Sequence, residues 1–64
     1  MKYPNVKVQL TGTDGNAFVV LGKVLGAMRK AGISDEERSK FKHEVTKSDY
    51  DHLLATCMDW VDVN

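Results

Sequence analysis

Apolar residues change their spacing along this chain, and the changes divide it into five predicted elements. Val6, Val8 and Leu10 alternate with Lys7 and Gln9, the period of two that marks a strand with one face on a core. Tyr3-Pro4-Asn5 reads as an extended lead-in, since proline donates no ladder bond and steers the residue before it away from helix. Residues 11–16 break the alternation with Gly12 and Gly15, which reach backbone angles that other residues avoid. From 17 to 30 the spacing turns helical. Phe18, Leu21, Leu25 and Met28 form a stripe that Val20 and Val24 widen. Asn16 is placed to cap its start, and Gly32 to follow its end. Arg29 and Lys30 fall in the last turn, where cations suit the helix dipole.

Ser34 and Glu37 have the spacing of a capping box, in which each side chain satisfies the other's backbone amide. The helix they open carries only Phe41 and Val45 as large apolar residues. It reads as a thinly anchored surface helix, with Arg38, Lys40, Lys42, His43 and Glu44 as a solvated face. Ser48 is expected to open a third helix, with Asp49 and Asp51 in its first turn. Tyr50, Leu53, Leu54, Cys57, Met58 and Val61 then recur at i, i+3, i+4, i+7, i+8 and i+11, the cleanest amphipathic pattern in the chain. Trp60-Val61-Asp62-Val63 alternates once more and predicts a short closing strand that pairs with 6–10. The expected fold is a single small α+β domain, 1–64, in β-α-α-α-β order. Its two-stranded sheet would extend across a dimer.

Two features favour association. A chain of 64 residues buries only about 60% of the surface it exposes when unfolded, and its one cysteine cannot close an internal disulfide. A two-stranded sheet is also a poor independent unit with open edges. A homo-oligomer is therefore expected. Gly22 and Gly26 lie four apart on the first helix, and each costs about 1 kcal/mol relative to alanine. Their missing side chains admit a close backbone, from this chain or from a second subunit.

Composition narrows the functional classes. Nine basic and nine acidic residues cancel, which disfavours general nucleic-acid binding, normally marked by a basic excess. Met1-Lys2-Tyr3-Pro4-Asn5 lacks the apolar core of a signal peptide, and no apolar run approaches a membrane span. With a lone thiol, this reads as cytoplasmic, with no membrane partner.

His43, His52 and Cys57 are the soft metal-ligand candidates, but His52 and Cys57 are five apart and fall on different helix faces. Neither HExxH nor CxxC occurs, so no metal is expected. Both histidines read as surface residues, and Cys57 as a small core residue. No nucleophile elbow is present. Asp49, Asp51, Asp59 and Asp62 offer carboxylates for acid–base work, but capping and solubility account for the first two. The expectation is a non-enzyme without cofactor. Loop 11–16 is the remaining candidate. A strand running through a glycine turn into a helix N-terminus presents amides suited to phosphate or carboxylate, and Thr11, Thr13 and Asn16 add polar groups. It lacks the P-loop and dinucleotide-binding patterns. Asp14 suits a ribose hydroxyl or base amine better than a bare anion, or caps the helix itself; the other reading of the loop is a tight turn alone.

The opening Tyr3-Pro4-Asn5-Val6-Lys7-Val8-Gln9-Leu10-Thr11-Gly12-Thr13-Asp14-Gly15-Asn16-Ala17-Phe18 resembles that of a family of small uncharacterised proteins in bacteria and their phages. Asp49-Tyr50-Asp51-His52-Leu53-Leu54, Thr56-Cys57-Met58 and Trp60-Val61 are similar to the family's closing signature. Lys47-Ser48 stands where relatives are expected to carry Ser-Gly. The resemblance implies a phage or bacterial cytoplasmic setting and no named activity. It also marks Thr11, Thr13, Asp14, Gly15, Asn16, Tyr50 and Asp51 as a shared ligand-binding site, with Tyr50 stacking on a base and Asp51 orienting a loop residue. Core and capping roles compete for the same residues. The functional expectation is a non-enzymatic, homo-oligomeric binding protein that sequesters a nucleotide-derived signal as an anti-defence protein. The alternative is an inhibitor or accessory factor acting on a host or phage protein, with Phe41 and the middle helix as its face.

Overall fold

The computed structural model describes residues 1–12 and 15–64. Within them the chain runs β1 (Tyr3–Val8), α1 (Ala17–Lys30), α2 (Asp35–Val45), α3 (Tyr50–Trp60) and β2 (Val61–Val63). The strands form a two-stranded parallel sheet. This is the expected order in one small α+β domain.

β1 starts earlier than the alternation implied. Tyr3 pairs with Val61, after which the register jumps so that Lys7 opposes Asp62 and Val8 opposes Val63. Pro4 falls in the irregular stretch, a place where a strand tolerates a residue without an amide proton. Past Val8 the C-terminal residue takes over. The Asn64 amide donates to the Val8 carbonyl at 2.9 Å, and the Asn64 carbonyl accepts from the amides of Leu10 and Thr11 at 2.8 and 3.1 Å. The base of loop 11–16 is thus pinned to the sheet.

Both ends of α1 follow the sequence. The Asn16 side chain accepts from the Phe18 amide at 2.8 Å, and Gly32, at φ +83°, follows the helix in the left-handed conformation that glycine adopts without strain. The Gly32 amide donates to the Arg29 carbonyl and the Ile33 amide to that of Met28, which makes the end a Schellman motif. The buried stripe, however, is Val20, Val24 and Met28, with Leu21 and Leu25 half-buried beside it. Phe18 leaves the expected stripe, being 85% exposed. It sits in the first turn on the stripe's flank, beyond the reach of the core.

α2 is anchored by the two residues expected, Phe41 and Val45, which are its buried residues. Phe41 and Val45 are both wholly buried, and the Trp60 ring meets Phe41 edge to face at 5.3 Å. Two residues suffice because both reach the centre of the core. Ser34 Oγ accepts from the Glu37 amide at 3.2 Å, but the Glu37 carboxylate turns instead to Lys2 Nζ at 3.2 Å. Lys2 Nζ also lies 4.2 Å from the centre of the Trp60 ring, so the chain's start is clasped against the core by charge and ring face.

The cap of α3 is Asp49 rather than Ser48; its carboxylate accepts from the His52 amide at 2.9 Å. The buried face is Leu53, Thr56 and Cys57, continuing into Val61, while Tyr50 and Met58 are exposed. The expected stripe is therefore rotated toward Thr56, a polar residue that hydrophobic spacing passes over. Its hydroxyl donates to the His52 carbonyl at 2.8 Å, which offsets the cost of burial. His52 is half-buried rather than a plain surface residue. Its Nε2 lies 2.9 Å from the Glu44 carbonyl; the carbonyl can only accept, so Nε2 carries the proton. This bond ties the last turn of α2 to α3. Trp60 ends the helix instead of opening the strand, and the Val61 amide still donates to the Cys57 carbonyl. No described helix is long and apolar enough to cross a membrane.

Candidate functional site

The starts of α1 and α3 lie side by side, and between them opens a cleft of about 250 Å³. Ala17 and Leu21 line it from α1, Val45 from the end of α2, and Leu53 from α3. These apolar groups form its floor. Phe18 and Tyr50 stand at its sides, 85% and 39% exposed, and Thr46, Ser48 and Asp49 add polar groups. No ring contact joins Phe18 to Tyr50 among the described residues.

Each wall residue is placed by a local rule. Asn16 caps α1 through the Phe18 amide, which fixes where the first turn begins and projects Phe18 outward. Asp49 caps α3 one residue before Tyr50, so Tyr50 occupies the opposite first turn. Thr46 ends α2 with its hydroxyl donating to the Lys42 carbonyl at 2.7 Å.

Of the sequence-derived site residues, the structure brings Gly15 and Tyr50 together. A Cβ placed on Gly15 would lie 3.8 Å from the Tyr50 hydroxyl, so the loop and the segment Asp49-Tyr50-Asp51 do meet there. Asn16 is committed to capping. Thr11 is exposed, its amide bound to Asn64, and Gly12 makes the turn at φ +80°. Asp51 is exposed on α3, and among the described residues no hydrogen bond or ion pair links it to the loop. Thr13 and Asp14 lie outside the described residues. Sequence spacing missed Phe18 as a site residue because it satisfies the helical stripe; only the stripe's true centre, Val20–Val24–Met28, excludes it. It missed Thr46 and Ser48 too, which read there as connecting residues.

The remaining reactive groups lie elsewhere. Cys57 is fully buried, and burial pushes its thiol up to about 11, which leaves it protonated and a poor nucleophile at neutral pH. Among the described residues no group of His, Cys, Asp and Glu is arranged to hold a metal. Phe41, the proposed anchor of a protein-binding face, is buried and cannot serve as one.

For Gly22 and Gly26 the structure bears on one of the two expected approaches, that of a backbone of this chain. Beyond the helix's own neighbouring backbone, no described atom comes within 4 Å of a Cβ placed on either. They border a cleft of about 490 Å³ between α1 and the end of β1.

Comparison of the chain with protein-family models, curated proteins and solved structures finds no match.

Proposed function

We propose that this chain is a non-enzymatic binding module that holds one planar, hydrogen-bonding group between Phe18 and Tyr50. The carrying observation is the pair of exposed rings flanking an apolar-floored cleft with polar groups at its rim. Phe18, 85% exposed, and Tyr50, 39% exposed, both line this cleft. The volume argues for a part of a ligand. Clefts that engulf drug-sized molecules run to about 300–1,000 Å³, so about 250 Å³ takes a single ring system and leaves the rest outside, toward loop 11–16. A nucleobase meets these terms, with its sugar and phosphate next to Gly15 and the loop. Stacking on an aromatic ring contributes about 1–3 kcal/mol per base.

With the resemblance to phage and bacterial proteins, this supports sequestration of a nucleotide-derived signal in the cytoplasm of a bacterial host, as an anti-defence protein. Binding alone would suffice for that task. The test is thermal unfolding with a panel of cyclic and ADP-ribose-type nucleotides. A ligand at a hundredfold excess over its Kd adds about 2.7 kcal/mol, roughly 10–20 °C in Tm for a domain of this size. Phe18→Ala should abolish the shift. A panel that leaves the wild-type transition unmoved would count against the reading. The second reading, an inhibitor of a host or phage protein, draws on the same exposed Phe18. It predicts a stoichiometric protein complex that Phe18→Ala abolishes.

A further inference from the structure

Walls of two chemistries meet around one cation beside β1. Lys2 Nζ lies 4.2 Å from the centre of the Trp60 ring and 5.9 Å from that of Tyr3, both within the reach over which a ring face attracts a cation. The two ring centres are 6.1 Å apart with planes tilted by 40°, so the faces are inclined to one another rather than stacked. The Glu37 carboxylate closes a third side, accepting from Nζ at 3.2 Å. Ring faces with a carboxylate are the groups that recognise an organic cation, the first by their quadrupole and the second by a charge-assisted hydrogen bond.

The walls are positioned by contacts other than those with the side chain they hold. Trp60 ends α3 and packs against the buried Phe41 at 5.3 Å. Tyr3 is set by its ladder partner Val61. Glu37 stands in the first turn of α2, its amide donating to the Ser34 cap. The backbone of Lys2 is fixed separately, its amide donating to the Asp59 carbonyl at 2.9 Å. The occupant differs in kind from these walls. The Lys2 side chain is a flexible aliphatic stem, 47% exposed, and it can swing into solvent by rotation about its own bonds. An incoming primary amine would then regain the same carboxylate bond and the same ring contact, so the exchange leaves Glu37 paired.

We propose that Trp60, Tyr3 and Glu37 form a binding site for a primary alkylammonium group, and that Lys2 is its built-in competitor. The bond to Glu37 selects a head that can donate, so a primary amine is preferred to a quaternary one. The ligand class covers a free aliphatic amine and the lysine side chain of a partner. None of the three residues lines the Phe18–Tyr50 cleft, so the site is independent of what that cleft binds.

Trp60 is the one tryptophan in the sequence, so its emission reports on the site directly. Wild type and Lys2→Ser are titrated with butylammonium, with lysine capped at both its amino and carboxyl ends, and with tetramethylammonium, against sodium chloride at equal ionic strength. A side chain tethered beside its site competes at an effective concentration on the order of millimolar. Removing it in Lys2→Ser should therefore tighten butylammonium binding at least about fivefold. Adding Glu37→Gln should weaken that binding about fivefold, and tetramethylammonium should bind less tightly than butylammonium. Capped lysine binding more tightly than butylammonium would support a partner's side chain as the source, and the reverse a free amine; the site stands in both. Circular dichroism checks that Lys2→Ser is folded. If it is not, the wild type still tests the proposal, because butylammonium in excess should displace Lys2 and shift the Trp60 emission saturably. The proposal is overturned by emission that no amine moves beyond the sodium chloride control, by equal affinities of wild type and Lys2→Ser, by indifference to Glu37→Gln, or by a preference for tetramethylammonium.

Discussion

The two phenylalanines are placed contrary to the helices that carry them. α2 is the most polar helix, yet its Phe41 has no exposed surface and packs edge-on against Trp60. α1 is rich in valine and leucine, yet its Phe18 is 85% exposed. Position in the assembled fold decides between them. Phe41 lies mid-helix, where α2 crosses the core; Phe18 lies in a first turn, past the core's edge and next to a cleft. A buried ring supports the fold, and an exposed one at a cleft is available to something else.

That contrast is sharpest in mutation. Phe41→Ala should cost about 3–5 kcal/mol, a large part of what a small domain has. Circular dichroism and the emission of Trp60, which Phe41 touches, should both report extensive unfolding. A cost under 1 kcal/mol would remove Phe41 from the centre of the core.

The next effect comes from Cys57, a neighbour of Phe41 in the core. Its folded thiol is raised from 9.0 to about 11 by burial. Being raised, it favours the protonated folded form. Its contribution to stability is complete below pH 9 and declines as the pH climbs from 9 to about 11. Other groups also titrate there, so the readout is the stability of wild type minus that of Cys57→Ala, which should fall across that window. A difference independent of pH would show that the thiol is not desolvated.

Smaller still are the caps that set the cleft's walls. Asn16→Ala and Asp49→Ala should each cost about 1 kcal/mol in denaturant unfolding, and each should weaken ligand binding by loosening a ring-bearing first turn. Loss of stability without loss of binding would separate the caps from the cleft. Phe18→Ala should change stability least, within about 0.5 kcal/mol. A cost close to that of Phe41→Ala would erase the comparison.

The order of elements was legible because local signals agreed: alternation at Val6–Val8, Asn16 and Gly32 bounding α1, Ser34 opening α2. What periodicity could not supply was the exact facing of each stripe. Several adjacent apolar rows on α1 and α3 satisfy the same spacing, and tertiary packing selected Val20–Val24–Met28 and Leu53–Thr56–Cys57. Thr56 was invisible to a hydrophobic pattern, since its burial rests on a hydrogen bond to the His52 carbonyl. Of the candidate site, the meeting of Gly15 and Tyr50 was anticipated on resemblance rather than on spacing. The cleft itself was not, because it depends on α1 and α3 starting side by side.

The most direct test of the central claim is an amide chemical-shift titration of the ¹⁵N-labelled protein with cyclic and ADP-ribose-type nucleotides. At least one compound should move the resonances of Gly15, Phe18, Thr46 and Tyr50, and Phe18→Ala should remove the response. Perturbations confined to other surfaces, or no perturbation by any compound, would contradict the claim.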